Sequence, residues 1–126
     1  VILASNGSTA SLDDSLSAFT RELDGMGELV VVNGKSGALV PLLWSEGLQN
    51  VDAEFVVFST TQMTPHSGWL RELIRTIQAT NAVGVGGVIK PGRGLSRLDR
   101  AIYLQRFLNY QPGALPLRPS GENAIY

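Results

Sequence analysis

Four short apolar runs recur along this chain at nearly constant spacing: Val1–Ala4, Glu28–Val32 (ELVVV), Glu54–Phe58 (EFVVF) and Ala82–Ile89 (AVGVGGVI), beginning at residues 1, 28, 54 and 82. The middle two are continuous rather than alternating. That is the pattern of strands covered on both faces, as in parallel sheets. An interval of about 30 residues holds one strand and one crossover helix. No sequence repeat underlies the spacing, so it is architectural.

Helical periodicity fills the gaps. Leu12, Leu16, Phe19 and Leu23 line one helix face, with Ser11 and Asp14 placed as a capping box and Gly25 and Gly27 as the stop. Leu39 to Leu48 predicts a second helix, with Pro41 confined to its first turn. Trp69, Leu70, Leu73, Ile74 and Ile77 form the stripe of a third, leaving Arg71, Glu72, Arg75 and Gln78 outward. Leu98, Ala101, Ile102 and Leu108 predict a fourth, with Arg97, Arg100 and Arg106 on its polar side.

Strand alternating with helix predicts an α/β layered domain with a mostly parallel sheet. Right-handed crossovers then bring all strand C-terminal ends to one edge, where such sheets bind ligands. The candidate site is therefore Ala4-Ser5-Asn6, Asn33-Gly34-Lys35-Ser36, Ser59-Thr60-Thr61-Gln62 and Ile89-Lys90-Pro91. Beyond Ile89 the pattern dissolves, and residues 111–121, with three prolines, read as irregular and extended. The expected organisation is one α/β domain over 1–110 and an extended segment over 111–126.

Composition narrows the function. At 126 residues and 44% hydrophobic, the chain can fold without a staple. It has no cysteine, hence no disulfide, thiolate ligand or Cys nucleophile. A net charge of -1 argues against a nucleic-acid partner. No apolar run reaches the ~18–20 residues of a membrane span, and no signal peptide is evident. The expected location is the cytoplasm. Charged residues are 17%, below the usual ~25%, which points to surface covered by further chain or by a partner. Val1 opens inside an apolar run without a Met, so the chain reads as a piece of a longer protein.

Common motifs fail. Gly34-Lys35-Ser36 resembles the end of a phosphate-binding P-loop, but Leu29 stands where that loop needs its first glycine. Neither glycine cluster, 84–87 or 92–94, completes G-x-G-x-x-G; Gly84, Gly86 and Gly87 read instead as sites of close backbone packing. His66 is the single histidine and has no second His to share a metal. Arg97, Arg100 and Arg106 read as a solvated helix face rather than a phosphate clamp. Trp69 and Phe107 read as packing residues.

Taken in order, the pieces resemble the first part of a family-2-type glycosyltransferase domain of the GT-A fold, a three-layer α/β sandwich that binds nucleotide sugars. Val1–Asn6 (VILASN) is similar to the opening strand, with Asn6 at the family's Asn. Residues 28–36 (ELVVVNGKS) resemble E-I-I-V-V-D-x-G-S, and 44–58 resemble R-N-x-G-L-x-x-A-x-G-E-Y-V-x-F. Pro65, Trp69 and Leu70 match P-x-x-x-W-L; Val83–Ile89 matches V-G-x-V-G-G-x-I. Gly121–Tyr126 (GENAIY) looks like the stretch where the acceptor half begins.

The departures are equally specific. The family's base-binding Asp is Asn33 here, and its Arg-Asn pair is Ser45-Glu46. The Asp-x-Asp metal motif falls on Ser59-Thr60-Thr61-Gln62, which carries no carboxylate. Sugar transfer must neutralise a departing diphosphate, usually with Mg²⁺ or Mn²⁺ on carboxylate oxygens. Loss of both acids costs several kcal/mol of that stabilisation. Mg or Mn is expected only if ligands come from outside this segment; Lys35 offsets part of the charge, or is a solvated loop lysine.

The resemblance implies a nucleotide-sugar site at Asn6, Asn33, Lys35, Ser59, Thr60 and Thr61. The family's general base lies in the acceptor half, so no catalytic residue is assigned here and the segment alone is expected to be inactive. Two readings follow: the donor-binding half of a divergent sugar-transfer enzyme, completed by a further half of the same chain, or a degenerate scaffold domain of a glycan-synthesis system. A generic doubly wound domain is a third. Its receiver form lacks an acidic cluster, and its flavin form would rely on Asn6–Ser11.

Overall fold

The computed structural model describes residues 1–7, 13–22, 27–113 and 118–126. It is a mixed α/β structure with two small sheets, one of them parallel. The chain divides into two compact units, Val1–Ala53 and Glu54–Tyr126.

The first unit contains β1 (Ile2–Ser5), α1 (Asp13–Glu22), β2 (Val30–Asn33) and α2 (Val40–Leu48). β1 and β2 pair in parallel, from Ile2↔Val30 to Ser5↔Asn33. Their C-terminal ends therefore share an edge, as the crossover rule requires. Leu39 is extended at the N-cap of α2, and Pro41 occupies the first turn, where its missing N–H costs nothing. α2 packs on β1 and buries Leu43 and Gly47. Gly34 explains how the exit of β2 passes so close: a Cβ there would lie 2.5 Å from Leu43 Cδ2 and 2.7 Å from Glu46 Oε2. Ser11, Leu12, Leu23 and Gly25, expected to bound the first helix, lie outside the described residues.

The second unit contains β3 (Val57–Phe58), α3 (Trp69–Ala79), β4 (Val85–Gly86), α4 (Arg97–Phe107) and β5 (Ala124–Ile125), with single 3-10 turns at Leu108–Tyr110 and Gly121–Asn123. β5 lies between β3 and β4 and is antiparallel to both. Val57 and Val85 both face Ile125 in register, so β3 and β4 run parallel to each other without touching. Their C-terminal ends also share an edge.

The sequence reading contains no strand at 124–125. Two residues are too short for any periodicity, and the preceding prolines point to irregular chain. Yet Ala124 and Ile125 are fully buried, and Ile125 forms the core with Leu73 and Ile77 of α3. Phe55, Val57, Trp69, Ile74 and Val85 pack around them. Burying one such aliphatic side chain contributes about 1.5–3 kcal/mol.

β4 is much shorter than the apolar run 82–89. Its glycines provide close approach: a Cβ on Gly86 would meet Pro119 Cβ at 2.6 Å, and one on Gly87 would meet Asn123 Nδ2 at 2.9 Å. α4 departs from expectation in its orientation. Leu98, Ala101, Ile102 and Leu108 are exposed, and the side facing the unit carries Tyr103 and Phe107. Their rings lie 5.8 Å apart, and the Tyr103 hydroxyl donates to the Ile89 carbonyl at 2.7 Å. The aromatic pair brings more area and a polar anchor than the aliphatic stripe.

Candidate functional site

The six sequence-derived site residues fall on two sheet edges, one in each unit. At the sheet edge of the first unit, the ladder continues one step past β1 as the Gly34 N–H donates to the Ser5 carbonyl at 2.8 Å. Asn33, at the end of β2, and Lys35, on the loop that follows, are exposed. The chain then turns, with Ala38 N–H donating to the Lys35 carbonyl at 3.0 Å. Asn6 locks that turn: its Nδ2 donates to the Ala38 carbonyl at 2.8 Å. The structure thus brings Asn6, Asn33 and Lys35 to one edge, with Asn6 holding the loop that carries Lys35.

At the edge of the second unit, β3 runs into Ser59 and Thr60, and a turn closes from the Met63 N–H to the Thr60 carbonyl at 3.0 Å. Thr61 and Gln62 are exposed on the turn. The 3-10 turn carrying Glu122 packs against β3. Arg106 of α4 reaches both: its Nη1 donates to Gln62 Oε1 at 3.3 Å and its Nη2 to Glu122 Oε1 at 2.6 Å. The guanidinium also lies 5.0 Å from the Phe107 ring centre. A planar donor fork held this way keeps its orientation. Thr60 Oγ1 and Glu122 Oε2 are buried without a hydrogen-bond partner. Each such atom costs about 1–3 kcal/mol until a donor or acceptor reaches it.

These side chains do not fit a divalent cation. The turn at 59–62 supplies hydroxyls and an amide, and the Glu122 carboxylate is already paired with a guanidinium. Hard dications want several anionic oxygens and no fixed positive charge beside them. Among the described residues, no cluster of three or more His, Cys, Asp or Glu suits a metal. His66 is exposed at the entry to α3, and its Nδ1–H donates to the Ser67 carbonyl at 2.7 Å.

Arg106 and Glu122 carry no sequence signal that marks them as site residues. They are 16 positions apart with a proline-rich stretch between them, so no local pattern announces the pair. A shallow groove of about 480 Å³ in the first unit, lined by Leu16, Thr20, Arg21, Leu29 and Val31 among others, contains none of the six site residues. It is an open surface between α1 and β2.

Comparison with known protein families, curated proteins and solved structures finds no match for this chain. No helix among the described residues is long and apolar enough to cross a membrane.

Proposed function

We propose that the chain is a divergent glycosyltransferase-like domain of three-layer GT-A type, the donor-binding half of a sugar-transfer enzyme. The observation that carries this reading is Arg106, an oriented guanidinium at the β3 edge where the resembled family keeps its metal carboxylates. A guanidinium pairs well with phosphate oxygens through parallel N–H donors. It supplies fixed positive charge without a metal. Thr60 Oγ1, buried and unpartnered at the end of β3, adds a neutral donor. In the first unit, the resemblance sets Asn33 at the family's base-binding Asp and Asn6 at the Asn that ends its opening strand, and Lys35 is a second exposed cation.

One observation favours the scaffold reading. Arg106 is tied to Glu122 at 2.6 Å, so its charge is already met within the protein. Titration calorimetry with uridine and guanosine diphosphate sugars, with and without Mn²⁺, separates the two. Metal-independent binding supports the donor-binding domain; no binding by any nucleotide assigns the fold to a scaffold.

A further inference from the structure

The stretch Lys90–Arg100 holds four of the chain's ten basic residues and one of its eleven acidic ones. That single acid, Asp99, turns back on the helix start, accepting from the Ser96 hydroxyl at 2.6 Å and from the Ser96 N–H at 3.1 Å. Lys90, Arg93, Arg97 and Arg100 are all exposed. Arg97 and Arg100 stand in the first turn of α4, where the helix dipole presents positive charge and cations are unfavourable. Helix stability does not account for them there. Local rules are broken in this way mainly at functional surfaces.

The same helix turns aliphatic side chains to solvent. Leu98 is 70% exposed, Ile102 46%, Leu104 43% and Leu108, in the adjoining 3-10 turn, 61%. Tyr103 and Phe107 hold the opposite side against the unit. At 100° per residue, Arg97 falls within the outward arc, between Leu104 and Leu98, and Arg100 lies at its margin. The outward arc thus sets Arg97 among leucines, with Arg100 at its edge, and contains no acid.

We infer that this face of α4 docks on an anionic lipid surface. Pairing with a second copy would set these cations against one another. A protein partner would have to set an acid within its apolar centre to meet Arg97, and Asp and Glu are depleted there. At a bilayer the conflict disappears: the arginine stems run among the leucines, and the guanidinium groups reach up to lipid phosphates. Each cation near such a surface strengthens binding about five-fold, and the gain is screened by salt. The inference is independent of the nucleotide site.

The test is co-sedimentation of the 126-residue chain with vesicles of phosphatidylcholine alone and of phosphatidylcholine with phosphatidylglycerol. Binding only to the second, weakened by salt, is expected. Arg97→Gln/Arg100→Gln should lower it roughly thirty-fold. Leu98→Ser/Ile102→Ser should lower it too, which purely electrostatic adhesion would not show. All four positions are exposed, and unchanged circular dichroism verifies that the variants fold. Equal binding to both vesicles, binding to neither, or indifference to the leucine changes overturns the inference. So does a dimer in light scattering that Leu98→Ser/Ile102→Ser dissolves, or vesicle-independent capture by polyglutamate, which would give the face to an acidic protein.

Discussion

The indole N–H of Trp69, at the first residue of α3, donates to Asn123 Oδ1 at 2.6 Å, and Asn123 immediately precedes the buried strand β5. One bond thus joins the helix that covers the sheet to the turn that delivers its central strand. The same amide's Nδ2 lies 3.4 Å from the Val88 carbonyl, beside β4. Trp69→Phe keeps most of the ring area and leaves a buried acceptor unpaired. It should cost about 1–3 kcal/mol, read as a lower urea midpoint at unchanged slope.

The close approaches at glycine make a second prediction. At Gly86 an added methyl meets Pro119 Cβ at 2.6 Å and Pro119 Cα at 3.0 Å. Neither atom belongs to a flexible chain end, so the strand must shift. Gly86→Ala should cost about 1–3 kcal/mol in thermal unfolding. Gly27→Ala, with nothing within 4 Å, should be close to neutral.

At α4, the Ser96 hydroxyl accepts from the Asp99 N–H while Asp99 accepts from Ser96, a complete capping box. The Ser96 hydroxyl, and then its backbone N–H, hold the Asp99 carboxyl below its ordinary pKa. A carboxyl depressed in the folded state stabilises above its unfolded pKa and loses that contribution as pH falls through the folded one. Helix content at α4 should therefore decline only in the acid range below the usual carboxylate titration. Ser96→Ala should remove about 1 kcal/mol and much of that acid sensitivity, followed by amide exchange at Arg100 and Ala101.

Much of this architecture is legible in the chain itself, and the omissions share a cause. α2 and α3 follow from Pro41 and from the stripe containing Leu73 and Ile77, because helical periodicity is local. Parallel pairing of β1 with β2 follows from two short apolar runs joined by a helix. β5 was invisible because its two residues derive their burial from partners at 57–58 and 85–86, far away in sequence. α4 and the packing role of Phe107 are legible too, but the helical wheel gives the inward side to Leu98, Ala101, Ile102 and Leu108. Tyr103 won it through a hydrogen bond to Ile89 that no helical wheel contains. The site divides in the same way. Thr60 and Asn33 follow from strand ends, whereas Arg106 reaches the β3 edge through α4, which brings it to Glu122.

Glu122 restrains Arg106, and that restraint predicts a gain. Glu122→Gln removes the competing carboxylate and keeps a hydrogen-bond acceptor in place. Affinity for a nucleotide diphosphate sugar should rise several-fold in calorimetry, with a steeper salt dependence than the parent chain. A scaffold domain would show no binding before or after the change.

In the proposed donor-binding domain, the guanidinium of Arg106 takes over the neutralising role of a metal. The most direct test compares the unmodified chain with Arg106→Gln/Glu122→Gln, which removes both charges and leaves neither partner stranded. Nucleotide diphosphate sugar binding, measured by calorimetry, should be unaffected by Mn²⁺ in the unmodified chain. It should fall roughly ten- to a hundred-fold in the double variant, the worth of charge-assisted hydrogen bonds. Binding that requires Mn²⁺, or that survives loss of the pair undiminished, would contradict the account.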